Sequence, residues 1–196
     1  MQPVSPAARQ YDPATIAFHW ITAILVATQW LGAQTIDWFP RGPLRVDARS
    51  VHIVMGALLA FILVARVAWR LTRGRRLPPA DRGALNLAAK ATHWVLYTLL
   101  AAMTVAGLAL TWQRADSLFN LVRIPGPGNR DLAEQILQVH AAIGYLILAL
   151  AGLHAAAALM HRYLWHDAVL ARMLPQAQVS SQPAEAATAR SPARTQ

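Results

Sequence analysis

Residues 135–161 read QILQVHAAIGYLILALAGLHAAAALMH, 27 positions without one charged side chain. A helix needs about 20 apolar residues to cross a bilayer core of about 30 Å. The stretch clears that length and is apolar on every face, which suits lipid rather than the one-sided stripe of a soluble helix. Three more charge-free stretches precede it: residues 13–36, 50–65 and 91–113, of 24, 16 and 23 residues. The second reaches membrane length when Arg66 and Arg70 lay their apolar stems along the core and keep their charges at the interface.

The remaining composition agrees. Of 196 residues, 56% are apolar and only 14% charged, where soluble chains carry roughly 25% charge. Mean hydropathy is +0.32, too high for disorder over most of the chain. The absence of Cys excludes a disulfide framework, a thiolate metal site and a haem attached through a Cys-x-x-Cys-His motif. The expected fold is all-α: an integral membrane four-helix bundle, up-down-up-down, with helices centred on residues 16–38, 50–71, 89–112 and 136–161. Residues 1–12 read as a short cytoplasmic segment, 13–175 as the membrane domain and 176–196 as a disordered tail rich in Ala, Ser, Gln and Pro.

Charge sets the orientation. Twelve of the 18 Lys and Arg fall on the side that holds both termini and the second connection, and six on the other. Cations collect on the cytoplasmic side, so both termini are expected in the cytoplasm. Arg73, Arg75 and Arg76 are part of that signal; no nucleic-acid-binding fold accompanies them. The longest connection, residues 114–134, contains Pro125-Gly126-Pro127-Gly128, which must turn, and its residues 117–122 read as a short interfacial segment.

Five of the seven histidines, His19, His52, His93, His140 and His154, lie inside the apolar stretches. Ionisable groups are costly there and usually functional. His140 and His154 are 14 residues apart, which leaves them about 40° from the same line on a helix and about 21 Å apart along its axis. They therefore share a face at the two sides of the core. The topology puts His52 at the outer level with His140, and His19 at the inner level with His154. Two pairs of imidazoles, each joining two helices at one depth, suit two irons with two axial histidines apiece. Zinc would want four ligands per site, and no carboxylate lies in these stretches. His93 also lies at the inner level, as a rival partner for His154, as a bond to a haem carboxylate or quinone carbonyl, or as a bond to a neighbouring helix. His161 and His166, at the inner end of the fourth helix, read as solvated interfacial groups.

Other residues read as supports. Gly56 and Gly144 each follow a histidine by four, one turn along the same face, where a flat macrocycle needs close approach to the backbone. Arg66, 14 residues after His52, sits on that face at the inner level, within reach of a haem carboxylate or free to snorkel. Arg41, Arg45 and Arg49 lie near the start of the second helix and form the candidate patch for drawing in an anionic donor.

At this point the residues resemble the bacterial cytochrome b561 family. The matching pieces are Ile16-Ala17-Phe18-His19-Trp20, His52 with Gly56, His93 with Tyr97, His140 with Gly144-Tyr145, Gly152-Leu153-His154-Ala155-Ala156-Ala157, and His161-Arg162-Tyr163 with Trp165. Together they span roughly residues 9 to 175. The resemblance implies a multi-pass inner-membrane oxidoreductase with two non-covalent b haems. His19 and His154 would hold the inner haem, and His52 and His140 the outer one. It implies ubiquinone of the respiratory chain as the acceptor of single electrons, and a small periplasmic donor is expected at the other end, with superoxide drawn to Arg41, Arg45 and Arg49 as the candidate. The alternative is a haem-bearing membrane anchor for a respiratory dehydrogenase or hydrogenase, which would hold that enzyme as a stable partner. A third reading is a transport bundle whose histidines only pack or carry protons. The bilayer is the sure partner, nucleic acid is not expected, and a homo-oligomer is left open.

Overall fold

The structure is a computed structural model that describes residues 10–80 and 82–175. The expected tail 176–196 and most of the expected segment 1–12 lie outside the described residues. Four long helices run in sequence: α1 Pro13–Thr35, α2 Pro43–Thr72, α3 Gly83–Arg114 and α4 Arg130–Tyr163. All four are long and apolar enough to cross a membrane, and at most 17% of the apolar window of any one is buried inside the bundle. Most apolar side chains therefore face outward, as lipid requires. What holds the helices together is close packing rather than the hydrophobic effect.

Local signals set the helix starts. Asp12 caps α1: its Oδ1 accepts the Thr15 N–H at 2.9 Å and its Oδ2 the Thr15 hydroxyl at 2.7 Å, with Pro13 in the first turn. The same carboxylate accepts Trp69 Nε1–H and the Arg75 N–H, both at 2.9 Å, which ties the start of α1 to the end of α2. Desolvation acts to raise the Asp12 carboxyl, but the bonds from Thr15, Arg75 and Trp69 outweigh it and hold the group well below the usual carboxylate range. Asn129 caps α4 by accepting the Leu132 N–H at 3.0 Å.

α2, α3 and α4 each begin six or seven residues before the expected helix. In α2 and α4 these first turns carry Arg45, Asp47 and Arg49, or Asp131 and Glu134, and in α3 Lys90 cuts the uncharged residues 83–88 off from the charge-free run. Such polar turns are helical above the lipid core, where an absence of charge cannot mark them. Residues 117–122 are not a plain interfacial segment but part of a hairpin. Strands β1 Ser117–Leu118 and β2 Val122–Arg123 pair antiparallel, Ser117 opposite Arg123 and Leu118 opposite Val122. Ala115, Phe119 and Asn120 take left-handed φ of 51°, 50° and 57° to end α3 and turn the hairpin. The hairpin is fastened to α2 through Ser50, fully buried, whose hydroxyl donates to Val46 O and accepts the Phe119 N–H at 2.8 Å.

The closest backbones are α1 with α2, α2 with α3, and α3 with α4. The buried core is one layer at mid-depth: Leu25 from α1, Leu59 and Leu63 from α2, Leu100 from α3 and Ile147 from α4. Ile147 lies seven residues from both His140 and His154, about 10 Å from each along the axis. The core thus separates two levels of histidine.

Candidate functional site

At the outer level, the end with the α1–α2 and α3–α4 connections, the rings of His52 and His140 meet edge to face with centroids 6.3 Å apart. At the inner level His19 and His154 do the same at 6.2 Å. Two imidazoles on one iron, each bonded at about 2 Å, stand about 6 Å apart between centroids. Both pairs have that spacing. In the outer pair, Nδ1 of His52 and Nδ1 of His140 are buried and have no hydrogen-bond partner among the described residues, although the backbones of Gln29 and Met103 lie close by. Paired imidazoles that cross the bundle at one spacing fit a haem at each level, with Nδ1 unbonded in the outer pair and Nδ1 of His19 against Arg66 in the inner one. Among the described residues no group of three or more His, Cys, Asp or Glu could hold a bare metal ion.

His93 is the third imidazole of the inner level. Its centroid is 5.2 Å from that of His154, about 1 Å less than the shared-iron span. It is also exposed at the bundle surface, where His19 is half-buried. Proton placement argues the other way. His93 donates from Nδ1 to Ala89 O at 2.7 Å, which leaves Nε2 bare, whereas Arg66 donates to Nδ1 of His19 at 3.3 Å. A ligand imidazole needs the first arrangement. Spacing thus points to His19 and proton placement to His93.

Arg66 does not snorkel. Its guanidinium turns into the bundle, onto His19 and over the Tyr97 ring at 5.0 Å. The two glycines expected to face a macrocycle have other neighbours: a Cβ on Gly56 would meet the Gln29 amide at 3.0 Å, and one on Gly144 would meet Met103 Cε at 3.1 Å. Gln29 in turn donates to His52 O at 2.9 Å. The close approach lies at Gly107 of α3, where a Cβ would come within 3.1 Å of His140 Cε1. Beside His52 a groove opens between α1 and α2, lined in part by Gln29, Gly32, Thr35 and Met55. Gly32 has open space where its Cβ would be. Nothing in the sequence singles out Gly107 or Gly32, because each matters through a neighbouring helix.

The outer arginines are mostly paired. Arg45 contacts Asp37 at 3.4 Å and bonds the carbonyls of Asp37 and Phe39, and Arg49 contacts Asp116 at 3.2 Å. Arg114, which the sequence reading passed over, shares this network with Arg49, Asp116, Glu134 and Asp37, and its charge reaches His140. At the inner end His161 is not solvated. It is buried, bonds Asp167 through Nδ1 at 2.5 Å and packs edge-on against Trp165 at 4.4 Å, because the chain folds back after α4. Desolvation acts to raise Asp167, but the His161 bond, the Val169 N–H and the charges of His161 and Arg172 lower it overall. His166 bonds Leu164 O and stays exposed.

Four apolar helices that set pairs of imidazoles edge to face across a bundle fit a membrane cytochrome with b-type haem. The chain belongs to the prokaryotic cytochrome b561 family, whose pattern it matches over residues 10–176. Over 176 residues it is 27% identical to "Probable superoxide oxidase CybB" of Yersinia pestis, covering 86% of this chain and 97% of that protein. It is 28% identical over 176 residues to "Cytochrome b561 homolog 1" of Escherichia coli (strain K12), covering 85% and 98%. It is therefore a bacterial membrane electron-transfer protein.

Proposed function

We propose that this cytochrome carries single electrons across the bacterial inner membrane, from superoxide at the periplasmic side to ubiquinone, through two haems. His52 and His140 hold the outer haem, and His19 and His154 the inner one. Both termini lie in the cytoplasm. The observation that carries the reading is the matched spacing of the two pairs, 6.3 and 6.2 Å, with both partners from α4 on one face.

Each haem supplies a one-electron carrier. His52 with His140, and His19 with His154, would each hold one haem through two imidazoles, and the haem so held would supply electron transfer rather than oxygen binding. Leu25, Leu59, Leu63, Leu100 and Ile147 keep the space between the levels apolar. Arg41, Arg45, Arg49 and Arg114 supply positive charge at the outer mouth. Their carboxylate partners trim the long-range field, so steering is local. Two superoxide anions give up one electron each and leave as oxygen; one quinone takes both electrons with two protons. The superoxide donor is supported by the name of one relative and by the cations beside His140.

The test is superoxide-driven haem reduction in purified protein. Arg114→Gln, alone and with Arg41→Gln, should slow it several-fold at low salt, and the gap should close as salt rises. A haem that dithionite reduces but superoxide does not, in wild-type protein, overturns the donor.

A further inference from the structure

We infer that Arg66 holds a carboxylate of the inner haem and, through its charge, makes the inner level the place where the electron comes to rest. This rests on the two-haem reading and adds to it the residue that sets the potential of the inner level.

Arg66 is a half-buried cation inside the bundle. It donates to Nδ1 of His19 at 3.3 Å and stacks over the Tyr97 ring at 5.0 Å. Among the described residues no carboxylate contacts it, and the other full charge that acts on it is the like charge of Arg70. Its outer counterparts differ: Arg45 has Asp37 and Arg49 has Asp116. A half-buried cation calls for an anion, and among the described residues no carboxylate reaches it. A haem brings its own carboxylates. Pairing with one gives Arg66 a stronger, charge-assisted partner than an imidazole nitrogen. It also releases Nδ1 of His19, so that the ring can carry its proton there and turn a bare Nε2 to the iron.

Haems at both levels bring carboxylates, so the difference between the levels is the cation. A fixed positive charge in a medium of low dielectric favours the added electron. The outer level has no equal: Arg114 acts on His140 from within a network that contains Asp116, Glu134 and Asp37. One electron leaves the His52–His140 level and one arrives at the His19–His154 level, and no bond is made or broken. The step runs downhill toward the cytoplasmic side.

A redox titration of the purified two-haem protein tests this, with each haem followed by its absorbance and assigned with His154→Ala. Arg66→Gln should lower the midpoint of the haem that His154→Ala removes and leave the other in place; Arg66→Lys should restore most of the shift. Unmoved midpoints, or a shift in the other haem, would overturn the assignment. Loss of the inner haem from Arg66→Gln with recovery in Arg66→Lys supports it. Loss from both variants overturns it, because packing and not charge would then be at work. A wild-type protein with fewer than two haems would sink the underlying reading instead, which keeps the two failures apart.

Discussion

At the outer level His52 and His140 face each other with both Nδ1 atoms unbonded, and the nearby arginines are matched to aspartates. At the inner level two imidazoles have company: a third ring from His93, the guanidinium of Arg66 and the ring of Tyr97. The spacing between the paired rings is nonetheless the same to 0.1 Å. The shared ligand requirement proposed above would account for the sameness, and the different surroundings would leave each level free to differ in potential and access.

The strongest way to break the comparison is to remove one level at a time. His140→Ala should reduce haem from two per chain to one and leave the inner spectrum intact, and His154→Ala should do the converse. Haem counts by absorbance after extraction decide it; two haems in either variant would contradict the pairing. Next, His19→Ala should lose the inner haem while His93→Ala keeps both. The reverse pattern would hand the inner ligand to His93, as its tautomer already allows.

A smaller effect separates the glycines. Gly107→Val forces a side chain against the His140 ring and should cost about 1–3 kcal/mol of stability through overpacking, with a broadened outer-haem band. Gly144→Ala meets only the flexible end of Met103, and its spectrum should match the wild type. Equal spectra in both variants would remove Gly107 from the outer site.

The smallest effect concerns the inner end. Asp12→Ala should lower stability by about 1 kcal/mol, the usual loss of a helix cap. Because the native carboxyl is held below its ordinary value, its contribution is complete above the unfolded pKa of about 4. It fades as pH falls from there toward the native value. Thermal melts of the two proteins in detergent should therefore differ by a constant amount at neutral pH and converge in acid. A gap that widens in acid would contradict the assignment.

Much of this was legible because lipid is a strict solvent. A charge-free run long enough to cross it has one solution, so the four helices, their order and the two histidine levels follow from counting residues. The first turns of α2 and α4 escaped that count because they are charged, and those of α3 because Lys90 cuts them off from the charge-free run. The hairpin escaped it too. Its left-handed residues are Ala115, Phe119 and Asn120, and only Asn120 belongs to a type that favours such a turn. The inward turn of Arg66, the burial of His161 against Asp167 and the approach of Gly107 to His140 all depend on which residue a second helix or a returning loop presents. Spacing within one helix cannot report that. Nor could it report that the side-chain ends of Gln29 and Met103 lie against Gly56 and Gly144.

The central claim is that two levels of paired histidine each hold one haem. Its most direct test is the oxidised and reduced absorbance spectrum of the detergent-purified full chain, expressed with ample haem and counted for haem per chain. The account predicts two low-spin b haems per chain. A folded protein with no haem, or with one haem that neither His140→Ala nor His154→Ala disturbs, would contradict it.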